Sequence, residues 1–553
     1  MSKPTLAFYG IKDRNSFEYP AYVHDHNLCL MQDGKILQYL HLERHTRRKY
    51  DNRLDLFIEE LIDSRAIELP DEFDLVGVNL FVGSAFISKN GRLHFEADRP
   101  KALSFNLQQA HAYFQYNVWE GKQLNAYRCQ HEVAHICSTM PFFGHFKDNS
   151  LLVSIDGGSS EGNYSAFLYR DGNYQLLENG WDDLSYASKL FNDNALSFMM
   201  LGASPGEHCS VPGKLMGFAS WGCYNPEIEK WFVENQYFKD WWHKEDDILQ
   251  LIKDRFGIVA NFDTHDKFMQ ECAATFQRIF EKAILQKFEA LQQKYNCENL
   301  YYGGGCALNI VTNTKIVESG MFRNVYIAPC CNDSGLSIGA AALLETMKGN
   351  EIQTHNPYQC NIGLGDMHCS VNENEIARVA ELIMQHKIVG VCNGNAEAGP
   401  RALGNRSLIA LADSQELAAR LSMEVKRREW YRPLAPIMLL DNAKMVVEQK
   451  VTELARFMLQ DFTVKPEYRN RMAGVVHANN TARIQTVASE SENPFIHRLL
   501  LYLQQKYGVI ALINTSFNAQ GEPIVHTAEQ ALASAMRMGI DGVVINGKLE
   551  VLK

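Results

Sequence analysis

No apolar run in this 553-residue chain approaches the ~18 residues that a membrane-spanning helix needs. The opening Met1-Ser2-Lys3-Pro4 is polar and lacks the apolar core of a secretory signal, so a cytoplasmic protein is expected. No CxxC pair occurs among the 13 cysteines, an odd number scattered along the chain. The adjacent Cys330-Cys331 has neither zinc nor redox spacing, so free, mostly buried thiols in a reducing compartment are expected. Low-complexity tracts are absent too, and 46% hydrophobic with 22% charged residues excludes a wholly disordered or collagen-like chain. Positive charge is in deficit: 54 basic against 65 acidic residues leave −11 with histidine neutral. That balance argues against extended nucleic-acid binding, where many phosphates must be met by Lys and Arg. It leaves room for a local basic pocket.

What is present reads as an ordinary soluble chain, 46% hydrophobic and 22% charged. At ~150 residues per domain, two or three domains are expected. Two early segments share one order: strand, polar loop, strand, Asp-Gly turn, strand. The first runs through residues 6–10, 28–32, Asp33-Gly34 and 35–40. The second runs through residues 151–155, 164–169, Asp171-Gly172 and 173–178. The repetition points to a duplicated α/β fold. Residues 267–294 predict a long helix, because Phe268, Cys272, Phe276, Ile279 and Ala283 recur at three- and four-residue spacing. A strand over 300–302 then meets Gly303-Gly304-Gly305 and a helix beginning near Leu308. A strand over 325–328, the loop 332–335 and a helix over 337–347 follow. The polar segment 348–366 carries Gly349, Pro357, Gly363 and Gly365, and places the main boundary between domains 1–355 and 356–553. Beyond it, strands over 388–392 and 509–513, the latter ending in Asn514-Thr515-Ser516, alternate with helical patterns. The second domain is therefore also α/β.

Three constellations carry chemistry. His131 and His135 stand at i and i+4, on one helix face, where both imidazoles can reach one metal ion. The pair alone equally fits two histidines bonded to carbonyls. Asp156 and Asp333 each directly follow a predicted strand, and two imidazoles with one or two carboxylates suit Fe(II), Mn(II) or Zn(II). Gly303-Gly304-Gly305 between strand and helix forms an anion or nucleotide cradle, or simply a turn. Residues 213–217 (GKLMG) are a second glycine-flanked stretch able to pack beside a nucleotide, or an ordinary loop before an apolar helix. Between Arg401 and Arg432 lie seven basic and four acidic residues, a positive island in an acidic chain. Arg401 and Arg406 sit among glycines and Arg432 precedes Pro433, so arginines in constrained loops suit bidentate capture of a small phosphate. Asn514 and Ser516, at a strand end, add neutral hydrogen bonds for an amide.

These residues resemble the nodulation/cephamycin-type O-carbamoyltransferase family. Residues 399–407 (GPRALGNRS), 425–436 (VKRREWYRPLAP) and 514–525 (NTSFNAQGEPIV) match its signatures. His24-Asp25, Asp33-Gly34, 43–49, the histidine pair, Asp156-Gly157, GKLMG, 303–309 (GGGCALN) and 333–335 match in order, nearly the full chain. The resemblance implies a duplicated actin/hexokinase/Hsp70-like N-terminal domain and a smaller α/β C-terminal domain resembling threonylcarbamoyl-AMP synthase. It implies an ATP-dependent transfer in which carbamoyl phosphate enters the C-terminal domain, a carbamoyl-adenylate forms, and the N-terminal domain moves the carbamoyl group to a hydroxyl. In that reading Lys49, Arg401, Arg428, Arg432, Asn514 and Ser516 bind carbamoyl phosphate, and Gly303, Gly304, Gly305, Asn309 and Gly157 bind ATP. His131, His135, Asp156 and Asp333 hold the metal, Fe(II) first, with Mn, Zn or Mg as alternatives. His24, with Asp25, is the base on the acceptor hydroxyl.

The expected partners are carbamoyl phosphate, a small hydroxylated acceptor such as an antibiotic or sugar, and a second copy of the chain. Neither nucleic acid nor membrane is among them. A tRNA threonylcarbamoylation enzyme and a non-catalytic nucleotide-binding module are the rival readings. Two departures from the family pattern fall in the C-terminal part: Asn395 where Arg is common, and His477-Ala478-Asn479-Asn480-Thr481 where H-x-D-G-T is common. The connection from Gly10 to His24 is long, which loosens the placement of His24.

Overall fold

The computed structural model describes residues 2–11, 23–80, 83–98, 102–117, 120–181, 194–238, 245–365 and 367–552. The middle of the Gly10-to-His24 connection and Asp366 lie outside the described residues.

Strand β1 (Thr5–Tyr9) is followed by β2 (Asn27–Gln32) and β3 (Lys35–His41). Asp33 and Gly34 join β2 to β3 with φ of 48° and 71°, the positive values that a tight hairpin turn demands. With β4 (Asp74–Val78), β5 (Ala85–Ile87), β6 (Leu93–Glu96), β7 (Gln108–Asn117) and β8 (Glu120–Cys129) they form one sheet, order β3-β2-β1-β4-β8-β7-β6-β5. A second sheet has the order β11-β10-β9-β12-β13, from β9 (Ser150–Ile155), β10 (Tyr164–Arg170), β11 (Asn173–Gly180), β12 (Asn299–Gly303) and β13 (Asn324–Tyr326). In both, the first strand pairs antiparallel with the second, the second antiparallel with the third, and the first parallel with a later strand. The duplicated α/β fold expected from the two hairpins is therefore present, strand for strand.

The halves meet through two helices. Helix His131–Cys137 packs on β9 and β12, helix Leu336–Met347 packs on β1, β2 and β4, and the helices pack on each other. Gly339 permits that contact, since a Cβ there would lie 1.9 Å from the Ala134 carbonyl oxygen. The long helix Lys267–Tyr295 buries the predicted stripe of Phe268, Cys272, Phe276, Ile279 and Ala283 beside the second sheet.

The third sheet has the order β19-β16-β20-β15-β14-β21-β22. Its strands are β14 (Val389–Cys392), β15 (Arg406–Leu411), β16 (Ala435–Leu439), β19 (Gln485–Val487), β20 (Leu512–Ser516), β21 (Gly542–Ile545) and β22 (Lys548–Val551). The pair β17 (Phe462–Thr463) and β18 (Thr481–Ala482) stands apart from it. Residues 351–365 contain no helix or strand beyond the isolated bridge of Cys360 with Ala396, and we propose the boundary between units 1–355 and 356–553 there.

Three elements differ from expectation. The strand read over 325–328 is Asn324–Tyr326, its last residues turning away before Pro329. The strand read over 509–513 runs instead through Leu512–Ser516, because Asn514, Thr515 and Ser516 pair with Ile409, Leu408 and Ser407 of β15. Of the two readings of GKLMG, a stretch beside a nucleotide or a loop before a helix, the loop falls away, since the stretch lies inside a helix, Val211–Ala219. All 13 cysteines are free, and among the described residues no helix is long and apolar enough to cross a membrane.

Candidate functional site: one cavity with an anionic and a cationic wall

Four side chains converge where the duplicated halves face each other. His131 opens its helix, its backbone N–H held 3.0 Å from Ser160 Oγ, and His135 stands one turn later. Asp156 directly follows β9, and Asp333 sits in the turn before helix Leu336–Met347. The Nε2 of His135 is 2.8 Å from Asp156 Oδ2 and 3.4 Å from Asp333 Oδ1, and that of His131 is 3.4 Å from the same Asp333 oxygen. All four donor atoms lie within 4.8 Å of one another. Both imidazoles are buried, and neither ring makes a well-directed hydrogen bond through either nitrogen. Two nitrogens and two carboxylate oxygens at this spacing fit a divalent cation.

The charge balance supports the same fit. Burial alone would lower the His135 pKa, yet Asp156 and Asp333 push it up to about 9. Burial alone would raise Asp333, but His131 and His24 hold it well below the usual carboxylate range. The carboxylates thus keep a proton on the His135 imidazole, which metal coordination would need free. A cation supplies the same positive charge without the protons.

Beside this cluster stands His24. Its Nδ1 is 2.9 Å from Asp25 Oδ2 and 4.0 Å from Asp333 Oδ2, while His41 Nε2 holds the other Asp25 oxygen at 2.9 Å. Burial works to lower the His24 pKa, but Cys209, Asp333 and Asp25 raise it well above 6.5. In the bare cluster His24 is therefore held protonated, unlike the near-neutral imidazole expected. Tyr9 and Asn27 complete the support and were not singled out from sequence. Tyr9 donates to Asp333 Oδ2 at 2.9 Å, and Asn27 donates to the Asp25 and Asp333 carbonyls while accepting from Ser337 N–H. Their signal was only a tyrosine and an asparagine at strand ends.

The opposite wall is cationic. Lys49, Arg401, Lys426, Arg428, Arg432 and Arg483 line one cavity of about 780 Å³, which His24, Asp25, Asp156 and Asp333 also line. The two clusters therefore share a single continuous space, within the usual size of a ligand site. Burial, then the neighbouring Arg432, pushes Arg428 down to about 9, while Thr515 and Ser516 hydroxyls accept from its guanidinium at 2.9 and 3.0 Å. Burial also lowers Arg401, whose Nε has no hydrogen bond, and burial with Arg428 and Arg432 lowers Lys426 far below its usual value. Lys426 and Arg483 were missed from sequence. Lys426 is inserted among Ser516 and the Asn518 carbonyl and side-chain oxygens, and a lysine two residues before Arg428 was read only as part of a basic run. Glu429 pairs with Arg432 at 3.3 Å, whereas Arg401 and Arg428 are buried and each is further depressed by the charge of Arg432, an arrangement that suits an anionic guest.

Several expectations shift in detail. Arg406 lines no part of the cavity: it is fully buried, and four carbonyls, of Asn393, Gly394, Asn405 and His526, accept from its guanidinium. It folds its loop instead of capturing a phosphate. Of the glycine triplet only Gly305 reaches the cavity. Gly303 and Gly304 allow close backbone contact, since a Cβ on them would lie 2.7 Å from His135 O and 2.1 Å from Ile155 O. Gly157 lines the cavity, as does Asn309, whose side chain caps helix Ile310–Glu318 and bonds Gln277. Asn514 donates to Ala402 O and Gln485 Oε1, which leaves its Oδ1 without a partner. Ser516 already accepts from Arg428 and Lys426 and donates to Asn518.

Both family departures have a structural account. Asn395 is exposed and outside the cavity lining. Asn479 Oδ1 accepts from the Thr481 N–H and hydroxyl, a task for which only an acceptor oxygen matters, and Asn480 takes a φ of 64°, which asparagine tolerates nearly as glycine does.

Comparison with known proteins follows the same division. A family model described as the carbamoyltransferase N-terminus matches residues 18–342, and one described as the carbamoyltransferase C-terminus matches residues 380–551. The nodulation protein NolNO of Sinorhizobium fredii is 24% identical, over 97% of this chain and 80% of that protein. A nodulation protein U of Rhizobium tropici is 33% identical over 51% of this chain and 49% of that protein. An uncharacterized Methanocaldococcus jannaschii protein is 28% identical over 76% of this chain and 73% of its own length. Among solved structures, full-length HypF in a phosphate- and nucleotide-bound form matches 34% of this chain and 23% of that one, at 18% identity and a TM-score of 0.23.

Proposed function

The chain belongs to the carbamoyltransferase family, and from that premise we propose that it carbamoylates a hydroxyl of a small acceptor, using carbamoyl phosphate and ATP. The observation that carries the proposal is the single cavity lined both by Asp156 and Asp333, the two carboxylates of the histidine–aspartate cluster, and by the arginine wall.

A carbamoyl carbonyl is a poor electrophile because its nitrogen donates into it, so the group needs a better leaving group before transfer. Arg401, Arg428, Arg432 and Lys49 hold the donor's phosphate by charge-assisted hydrogen bonds, and Lys426 keeps Ser516 and Asn518 in place. The free Oδ1 of Asn514 accepts from the carbamoyl amide. Water breaks the donor's bond to phosphate, giving carbamate and inorganic phosphate; a carbamate oxygen then bonds the α-phosphorus of ATP, and pyrophosphate leaves. The backbone at Gly157 and Gly305 leaves room for the nucleotide. A divalent cation on His131, His135, Asp156 and Asp333 would supply Lewis-acid charge for phosphate oxygens. It would also offset the Asp333 charge, which together with Cys209 and Asp25 raises the His24 pKa. His24, oriented by Asp25, takes the acceptor's proton as the acceptor oxygen bonds the carbamoyl carbon and AMP leaves.

The test is incubation with ATP, carbamoyl phosphate and a panel of hydroxylated metabolites, followed by mass spectrometry. AMP, pyrophosphate, inorganic phosphate and an acceptor heavier by one carbamoyl group are expected. ATP turnover that ignores carbamoyl phosphate would remove the proposal.

A further inference from the structure

Between the two walls runs the segment 41–50, which belongs to the N-terminal part of the chain but is bolted to the C-terminal part. It begins at His41, which holds Asp25, and ends at Lys49 and Tyr50, which line the cavity. Between them, Arg47 caps the short helix Leu42–Thr46 with φ 61°, the left-handed conformation common where a helix ends. Its side chain reaches across the seam. Arg47 donates to the Ile524 carbonyl at 2.6 Å, to the Pro523 carbonyl at 2.8 Å and to Glu522 Oε2 at 3.2 Å. One turn earlier, fully buried Arg44 donates to the Gly399 carbonyl at 3.1 Å, next to Pro400 and Arg401. The segment thus touches one loop of the cationic wall, at Gly399, and the 522–524 loop, which also lines the cavity.

We propose that Arg47 is a positioning residue: by clamping the 522–524 loop it delivers Lys49 into the cavity, against Arg428 and Arg432. Arg47 itself does not line the cavity, so its effect on the donor passes through Lys49. The geometry suits the task, since three acceptors spread over three consecutive residues fix both the position and the direction of a planar guanidinium. Lys49 senses the wall, its pKa lowered by partial burial and by Arg432, Arg428 and Lys214 against the opposing pull of Glu43. The inference rests on the proposed donor site for its kinetic consequence, while its structural core does not need that reading.

The experiment compares full-length wild type with Arg47→Ala and Arg47→Lys by ligand-free hydrogen–deuterium exchange and by steady-state kinetics. In Arg47→Ala, exchange should quicken over 41–50 and 519–525 while the three sheets keep their protection. The carbamoyl phosphate KM should rise at least tenfold with the ATP KM within twofold. Arg47→Lys, which keeps one donor, should fall between. Unchanged exchange over 41–50 overturns the clamp. Quickened exchange with an unchanged carbamoyl phosphate KM overturns the delivery of Lys49. A wild type that consumes no carbamoyl phosphate, with exchange quickened as expected, leaves the clamp standing and sinks the functional reading instead. If Arg47→Ala does not fold, Arg47→Lys alone decides: equal exchange and equal KM values to wild type overturn the proposal.

Discussion

The two walls of the cavity are electrostatic opposites built by different means. The wall around Asp156 and Asp333 is short of positive charge and keeps protons on His135 and His24 to balance itself. The wall around Arg401 and Arg428 is short of negative charge, and its cations depress one another. Each carries a buried, uncompensated charge that a folded chain retains only at a cost to stability. Their signs match the guests proposed for them, a cation for one and a phosphate for the other.

The comparison breaks first at the metal cluster. His131→Ala should abolish stoichiometric divalent metal and lower transfer by ~1,000-fold, since both donor set and charge change; elemental analysis beside activity checks it. Retained metal would remove the imidazole pair from the site. Next, the two arginines of the GPRALGNRS loop should part company. Arg401→Ala should raise the carbamoyl phosphate KM ~10- to 100-fold, by the ~1.5–3 kcal/mol of a charged hydrogen bond, with little change in unfolding. Arg406→Ala should leave four buried carbonyls without their donor and cost ~3 kcal/mol or more in chemical denaturation. The reverse pattern would exchange their roles.

Asp461 sharpens the cationic side. Burial pushes its carboxyl up to about 6, and one oxygen lacks a partner. Its folded pKa lies above the unfolded one, so the stability it contributes is complete below pH ~4 and lost as pH rises through about 6. Asp461→Asn should therefore gain ~3 kcal/mol on wild type at pH 7.5 and little at pH 4, read from denaturation at both values. A pH-independent difference would refute the shift. The smallest effect is expected at Asn480, where Asn480→Ala should cost ~1 kcal/mol from its positive φ and Asn480→Gly close to nothing. Equal losses in both would point to a lost side-chain contact instead.

Much of the frame was legible in the sequence because its cues are local. Each Asp-Gly turn and its flanking strands sit within about fifteen residues, and the i, i+4 spacing of His131 and His135 is a property of one helix turn. The reading erred where an element's end depends on a distant partner. β20 extends to Ser516 only because β15 lies alongside, and GKLMG is helical because its apolar face meets the bundle around Lys267–Tyr295. Arg401 and Arg406, five residues apart in one motif, could not be told apart by type or spacing. Tyr9, Asn27, Lys426 and Arg483 escaped notice because nothing adjacent in the chain marks them.

Residue order by itself determined the repeated hairpins, the stripe of the long helix and the stock of imidazoles, carboxylates and arginines, since these follow from turn chemistry, periodicity and side-chain type. Only the tertiary structure decided which of those groups face one another across a shared space. Metal donors come from residues 131–333 and cations from 49 and 401–483, and bringing such distant segments together is a matter of packing two sheets against a shared helix pair and of bringing loops of the C-terminal part to the same cavity. The same packing decides the protonation of His24, because a pKa answers to the charges within a few ångströms of it, whatever their distance along the chain.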